Sequence, residues 1–231
     1  MDSSEARAND AARVAKLSSN YAVMTEDGYR ARWSLSNAGN RAAHGERQRA
    51  LAGMAAHISH RSGVLLDLGC GELSAVPGLT ELARIGVDLL FERLVEARRA
   101  HSVPLVNADG YQLPLRSGSV DVVTMFTMLS SVLESDVRAS IASEVERVLV
   151  AGGAVLWYDF RYASSGNRAV RPVSVRELRK LFPSFEVRVR SLTVVPPIAR
   201  RFGRFARWLY PVFAAIPPMR SHLVALLVKP T

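Results

Sequence analysis

The chain has 231 residues, of which 48% are apolar and 22% are charged. This apolar fraction excludes an intrinsically disordered chain, and a single cysteine, Cys70, excludes both an intramolecular disulfide and a zinc site built on several cysteines. The net charge of +9 is unevenly spread, because residues 1–160 carry 16 Lys and Arg against 19 Asp and Glu, whereas residues 161–231 carry 14 against 2.

The N-terminal residues predict a mobile leader followed by a helical lid. They begin acidic and polar, whereas a secretory signal begins basic and then turns apolar. Together with the single cysteine, this favours a cytoplasmic location. Within residues 1–41, four side chains are expected to close over a bound substrate: Tyr21, Tyr29, Arg32 and Trp33.

Beyond the lid, the hydrophobic pattern alternates between helical and strand periods. Helices are predicted over 42–60, 90–100, 135–149 and 174–182. Short apolar runs predict strands at 64–68, 85–88, 105–109, 120–126, 154–159, 185–195 and 221–229. Alternating buried strands and helices are typical of a parallel sheet covered on both faces.

These elements predict an α/β fold with a doubly wound, mostly parallel, seven-stranded sheet of the Rossmann-like type. About 25 residues join the last two strands, which favours an antiparallel C-terminal strand. We expect one domain over residues 1–231, with a cofactor-binding core at 42–160 and basic acceptor-side elements at 161–231.

The most informative segment is the run Leu66-Asp67-Leu68-Gly69-Cys70-Gly71-Glu72. Glycine directly after a buried strand lets the backbone turn sharply and approach a ligand at the carboxyl edge of the sheet. Asp88 follows Gly71 by 17 residues and ends the next strand, where a carboxylate can accept both hydroxyls of a ribose. A dinucleotide site prefers Gly-x-Gly-x-x-Gly, but position 74 is Ser.

Five motifs follow one another between residues 60 and 160: Asp67-x-Gly69-x-Gly71, Asp88, Ala108-Asp109, Asp121-Val122-Val123, and Arg147-Val148-Leu149-x-x-Gly152-Gly153. In order and spacing they resemble the motifs of class I S-adenosyl-L-methionine-dependent methyltransferases. The resemblance implies that Asp67, Gly69 and Gly71 lie at the amino-acid part of the cofactor, that Asp88 holds the ribose, and that Asp109 meets the adenine. It also implies S-adenosyl-L-homocysteine as the product. The family's frequent third glycine is replaced by Leu73, which predicts a less tight turn.

Methylation of a hydroxyl needs a base or a divalent metal ion that removes the proton. Asp159, at the end of the fifth predicted strand, is the first candidate, as base or metal ligand; the alternatives are a helix cap or a partner for Arg161. His44 is the second candidate because a neutral imidazole accepts protons near pH 7, although a lone histidine is more often a surface or packing residue. No residue set identifies the metal.

The sequence narrows the class of acceptor by exclusion. Methylation of base nitrogens commonly uses Asn/Asp-Pro-Pro-aromatic after the fourth strand, where this chain has Phe126-Thr127-Met128-Leu129. Cytosine carbon methylation needs a cysteine beyond the glycine turn, and there is none. Segments 157–162, 176–183 and 196–201 resemble bacterial methyltransferases of polysaccharide, glycolipid and secondary-metabolite pathways. We therefore expect O-methylation of such an acceptor; the alternatives are an RNA methyltransferase and a non-catalytic cofactor-binding scaffold.

A basic amphipathic helix is predicted over residues 198–210. Its apolar face would carry Ile198, Phe202, Phe205, Trp208 and Leu209, and its arginines would point away. We expect the apolar face to cover the sheet while the arginines are solvated. The alternatives are that the helix lies on an anionic membrane or holds a phosphorylated or lipid-linked acceptor, and, less favoured, that it binds nucleic acid.

Overall fold

The computed structural model describes residues 12, 14–15, 17–19, 22, 31–59, 62–73, 76–163 and 169–231. Seven strands form one sheet: β1 Val64–Leu68, β2 Ala83–Asp88, β3 Leu105–Asn107, β4 Val120–Phe126, β5 Leu149–Phe160, β6 Glu186–Val194 and β7 Arg220–Val228. The α-helices that accompany them are α1 Ala38–Ala55, α2 Phe91–Ala100, α3 Ser135–Val148, α4 Val175–Leu181, α5 Pro196–Ala199 and α6 Ala206–Ala214. Short 3₁₀ turns lie at Leu129–Ser131, Arg200–Phe205 and Pro217–Met219.

The strand order is β3-β2-β1-β4-β5-β7-β6. The strands β1 to β5 pair in parallel, and β7 runs antiparallel to both of its neighbours, β5 and β6. The predicted fold class, with its antiparallel C-terminal strand, is confirmed. The chain reverses direction across the sheet between β1 and β4, and the carboxyl ends of these strands define the switch point where ligands bind in such sheets.

Both faces of the sheet are covered because neighbouring residues of a strand point to opposite sides. Leu66 of β1 joins a buried cluster with Trp157 of β5, and α3 and α4 pack against that face. Leu65 joins the other cluster, which includes Leu51 of α1. None of the helices in the described part of the chain is long and apolar enough to cross a membrane.

The first helix starts four residues earlier than the sequence pattern indicates, at Ala38 instead of 42, and ends at Ala55. The cause is a side-chain cap, since Asn37 Oδ1 accepts hydrogen bonds from the backbone N–H groups of Gly39 at 2.9 Å and Asn40 at 3.2 Å. Such a cap satisfies N–H groups that the helix itself leaves without partners.

The predicted continuous helix over 198–210 is wrong. The chain breaks at Gly203, which has φ 51° and ψ −134°, and the break changes which residues face the protein. The buried set is Phe202, Ala206, Tyr210 and Ala214. Phe205 and Trp208, expected to cover the sheet, are exposed.

Candidate active site

An open cleft lies at the carboxyl edge of the sheet, around the ends of β1, β2, β3 and β4. The space between its walls is about 1020 Å³, a volume that includes open solvent. The lining residues that matter below are Gly69, Asp88, Arg93, Asp109, Thr127 and Met128. The fold therefore gathers motifs that are up to 59 residues apart in the sequence.

The glycine turn forms one wall of this cleft. The backbone N–H of Gly69 donates to Val87 O at 2.8 Å, which binds the turn to β2. Gly69 has φ +70°, and a Cβ there would lie 2.5 Å from Met128 Cγ. Gly71 has φ +46°, and a Cβ there would overlap the Arg93 guanidinium. The positive φ angles favour glycine at both positions. At Gly69 the bare backbone lies against the cleft.

The turn remains tight although leucine replaces the third glycine. Leu73 adopts φ 60°, the left-handed conformation that a glycine would take, and its N–H donates to Cys70 O at 2.7 Å. The Leu73 side chain is buried in a small cluster that also contains Leu94 and Ala97. The expectation of a looser turn is corrected, because Leu73 takes the backbone conformation that a glycine would take. Burial of its side chain stabilises this strained conformation.

Asp88 stands at the cleft with its carboxylate fixed by the backbone around it. Its Oδ2 accepts from Gly71 N–H at 2.9 Å and its Oδ1 accepts from Leu90 N–H at 3.0 Å. Arg93 Nη1 lies 3.9 Å from Oδ2. These contacts leave lone pairs on the carboxylate oxygens for the hydroxyls of a ligand.

The other two predicted cofactor acids occupy different positions. Asp109 lines the cleft after β3, and its Oδ1 accepts from Tyr111 N–H at 3.3 Å. Asp67 lies outside the cleft walls formed by described residues; it pairs with Arg84 and accepts from Thr124 Oγ1 at 2.7 Å. Burial raises the pKa of Asp67. Its contacts join β1 to the strands on either side of it.

Asp159, the first candidate base, is buried away from the cleft lining that the structure describes. Its Oδ2 accepts from Ser130 N–H at 3.0 Å and its Oδ1 from Phe160 N–H at 2.8 Å. Burial raises its pKa to about 6. Arg161, its suggested partner, instead donates to Pro217 O at 2.9 Å. Asp159 thus holds the 3₁₀ turn that places Ser131 at the cleft.

The remaining candidates are also dispersed. His44 is exposed on α1, outside the cleft wall that described residues form. Arg32 and Trp33 are exposed, and the guanidinium of Arg200 lies 5.4 Å from the centre of the Trp33 ring. Tyr21 and Tyr29 lie outside the described residues. From the N-terminal region, Leu17 lines the cleft.

Two residues that line the cleft, Arg93 and Thr127, were not predicted from the sequence. Each has an unusual feature that marks it. Arg93 is a cation in the first turn of α2, where the helix dipole disfavours positive charge. Thr127 directly follows β4 with φ 52°, a strained conformation for a β-branched residue. Strain of this kind concentrates at functional sites, but a sequence does not display φ.

Two further observations bear on chemistry. Burial raises the pKa of the Cys70 thiol to about 12, so at neutral pH this group is not a thiolate nucleophile. Among the described residues, no three His, Cys, Asp or Glu side chains come together as a metal site.

Comparison with known proteins agrees with this geometry. Residues 66–157 match the family model of the methyltransferase domain. A S-adenosylmethionine-dependent methyltransferase from Methanosarcina mazei has a similar structure, with a TM-score of 0.57 and 19% identity, covering 77% of this chain and 97% of that one. A S-adenosylmethionine-dependent methyltransferase from Mesorhizobium loti has a TM-score of 0.55 and 17% identity, covering 77% of this chain and 96% of that one.

A third similar structure is the geranyl diphosphate C-methyltransferase from Streptomyces coelicolor, solved with Mg²⁺, geranyl diphosphate and S-adenosyl-L-homocysteine. Its TM-score is 0.60 at 17% identity, covering 79% of this chain and 77% of that one. No curated protein sequence matches this chain significantly. Residues 66–157 of this chain therefore match a methyltransferase domain, and the chain shares the fold of the S-adenosylmethionine-dependent methyltransferases named above.

Proposed function

We propose that this protein transfers a methyl group to a hydroxyl oxygen of a saccharide, a glycolipid or a secondary metabolite. The observation that carries the proposal is the convergence of Gly69, Asp88 and Asp109 on one cleft. When bound, S-adenosyl-L-methionine supplies an electrophilic methyl on a sulfonium. In this proposal Asp88 accepts the ribose hydroxyls, Asp109 meets the adenine amino group, and the bare backbone at Gly69 lies against the amino-acid part.

The nature of the acceptor follows from what stands beside the cleft. At the end of β4 the chain reads Phe126-Thr127-Met128-Leu129, without the paired prolines common in enzymes that methylate base nitrogens. The one cysteine is buried with a raised pKa, which argues against covalent attack on a pyrimidine ring. Oxygen acceptors remain the class that best fits these residues.

The structure changes the proposed roles around the reacting hydroxyl. Asp159 contacts Ser130 and not the cleft, so we assign it to positioning the turn after β4 instead of proton transfer. In this proposal the proton of the acceptor hydroxyl passes to water in the open cleft, because His44 also lies outside the described cleft wall. Asp67 is assigned to joining β1, β2 and β4. Tyr21 and Tyr29 stay predictions as substrate-binding residues of the lid, and a cytoplasmic location stays a prediction from the single cysteine.

The cofactor site is tested by calorimetry with S-adenosyl-L-homocysteine. We expect Asp88→Ala to weaken binding by tenfold or more, because the ribose hydroxyls lose a charged acceptor, worth roughly 1.5–3 kcal/mol. Asp136→Ala is the matched control, since Asp136 is an exposed carboxylate on α3. Unchanged affinity in Asp88→Ala, or no binding by the wild type, would refute the assignment.

The acceptor is tested by release of S-adenosyl-L-homocysteine and by product mass spectrometry. Wild-type protein is incubated with S-adenosyl-L-methionine and panels of saccharides, glycolipids, hydroxylated metabolites, and transfer and ribosomal RNA. We expect a methyl group on oxygen in one of the non-RNA classes. Methylated RNA would support the RNA alternative instead, which the basic C-terminal third favours. Cofactor binding without turnover on any acceptor would indicate a scaffold.

A further inference from the structure

The segment between β6 and β7 exposes an unusual set of large apolar side chains. On and just before α6, the exposed fractions are 53% for Phe205, 70% for Trp208, 36% for Leu209 and 60% for Val212, with Ile216 at 41% shortly after. Scattered single apolar residues on a surface are ordinary, but a contiguous set marks an interaction site. We call the set formed by Phe205, Trp208, Leu209, Val212 and Ile216 the exposed apolar face.

This face is not the side by which α6 packs onto the protein. At about 100° per residue, Phe205, Trp208, Leu209 and Val212 fall within an arc of about 100°. The opposite side of the helix carries Ala206, Tyr210 and Ala214, which pack with small residues of α1. Tyr210 also donates a hydrogen bond to Glu46 Oε2 at 2.8 Å. The helix is therefore already anchored by one side and presents the other outward.

The surroundings of the exposed apolar face are cationic. Arg201, Arg204 and Arg207 are exposed next to it, and the chain contains no Asp or Glu after Glu186. The Arg204 guanidinium lies 4.9 Å from the centre of the Phe205 ring, and that of Arg207 lies 5.5 Å from the Trp208 ring. Cations beside aromatic rings suit the headgroup level of a bilayer, where the rings enter the interface and the charges meet lipid phosphates.

We propose that the exposed apolar face and its arginines bind the surface of an anionic lipid bilayer. A soluble protein partner would need a surface that is both apolar and acidic to match the exposed rings and the arginines. An anionic bilayer provides both, because its interior is apolar and its surface is negatively charged. The helix lies on the bilayer and does not span it. This inference is independent of which hydroxyl is methylated, and goes beyond the proposed function.

The topology gives this docking a direction. β7 begins at the sheet edge where β5 ends, because His222 pairs with Phe160, and β6 ends there too, because Val194 pairs with Arg220. The segment from 195 to 219 therefore lies at the carboxyl edge of β5, the edge at which the cleft opens. Binding through this segment brings the acceptor side of the protein toward the lipid surface.

The test is cosedimentation of the full chain with vesicles of phosphatidylcholine alone, and of phosphatidylcholine with about one-third phosphatidylglycerol. We expect binding to the anionic vesicles that weakens with added salt. Trp208→Ser with Val212→Ser should reduce the partition coefficient at least tenfold. Arg204→Gln with Arg207→Gln should reduce it on the order of thirtyfold, from about 1 kcal/mol per arginine near the surface.

Matched controls lie at the other end of the sheet, on α2. Arg98→Gln with Arg99→Gln removes the same charge from an exposed site, and Phe91→Ser removes a comparably exposed apolar side chain; neither should change vesicle binding. Affinity for S-adenosyl-L-homocysteine, measured on every variant, reports folding and separates failure of this inference from failure of the cofactor site.

Three results would overturn the proposal. The first is equal vesicle binding by the wild type and the Trp208→Ser/Val212→Ser variant. The second is a dimer, seen by light scattering, that dissociates in that variant while vesicles do not bind. The third is salt-dependent RNA binding that needs Arg204 and Arg207, again without vesicle binding.

Discussion

Three aspartates near the carboxyl ends of β1, β2 and β5 differ in what their carboxylates contact. Asp88 faces the cleft with its oxygens held by backbone N–H groups. Asp67 is turned to a neighbouring arginine and a threonine, and Asp159 to the backbone at Ser130 and Phe160. The orientation of each strand end, not the residue type, decides which carboxylate meets a ligand.

Leu73 shows how burial can outweigh backbone strain. A left-handed conformation costs a non-glycine residue roughly 1–2 kcal/mol. Full burial of a leucine side chain contributes about 1.5–3 kcal/mol, and Leu73 is 3% exposed. The leucine therefore keeps the turn that glycine would form while also filling space between the turn and α2.

The buried carboxyl of Asp159 predicts a pH dependence of stability. Burial raises its pKa to about 6 from 3.8, so between these values the folded protein holds a proton that the unfolded chain releases. The free energy of unfolding should therefore fall as pH rises from 4 to 6, by about 3 kcal/mol, and stay level above. In the Asp159→Asn variant this fall in the free energy of unfolding should be absent. Urea unfolding measured from pH 4 to 7 tests this expectation.

His222 should change the free energy of unfolding with pH in the opposite direction to Asp159, so a His222 variant serves as the comparison. Its pKa is lowered to about 3 from 6.5 by burial, so its contribution to stability is lost as pH falls below 6.5. His222→Gln should therefore reduce acid sensitivity, whereas Asp159→Asn should increase it. Identical pH profiles for the wild type and Asp159→Asn would show that the carboxyl is not buried as described.

At the scale of elements, α1 approaches the short helix α5 unusually closely. A Cβ at Gly39 would overlap the carbonyl of Ala199, which is backbone and cannot rotate away. We expect Gly39→Ala to lower the free energy of unfolding by about 1–3 kcal/mol through overpacking, although alanine favours helix. Chemical denaturation measures this change.

The same helix offers a control for that substitution. A Cβ added at Gly53 would meet no atom within 4 Å, so Gly53→Ala should stabilise the protein by about 0.5–1 kcal/mol through helix propensity alone. Stabilisation by both substitutions would mean that α1 and α5 are not in contact.

At the scale of the whole molecule, the cleft takes residues from the glycine turn, the ends of β2 and β4, and α3. A ligand that binds there only in the folded state stabilises the entire sheet. At about 100 times its dissociation constant, S-adenosyl-L-homocysteine should add about 2.7 kcal/mol and raise Tm by roughly 5–10 °C. Scanning calorimetry should show one transition that shifts as a unit; a shift in only part of a split transition would contradict this.

The uneven charge acquires a location in the fold. The near-neutral part of the chain, residues 1–160, supplies most of the residues that line the cleft. The basic part contains β6, β7 and the exposed apolar face. The excess of basic residues therefore lies at the β6–β7 end of the sheet, and this end is the one that we expect to contact an anionic surface.

The sequence by itself determined the strand and helix alternation, the fold class and the motifs that gather at the cleft. These follow from local periodicity and from glycine and aspartate at strand ends, features that depend on neighbours in the chain. A glycine turn after one buried strand and an aspartate at the end of the next also predicted Gly69 and Asp88 as residues of one site. Asp109 was predicted through the resemblance to class I methyltransferases.

Only the tertiary structure decided which side chains reach the ligand and which face of the C-terminal helix meets solvent. Asp67 and Asp159 turn to partners 17 and 29 residues away, and a single left-handed glycine, Gly203, shifts the buried face to Phe202, Ala206 and Tyr210. Side-chain direction depends on packing between distant segments and on one backbone torsion, and neither quantity is expressed in the periodicity of a sequence.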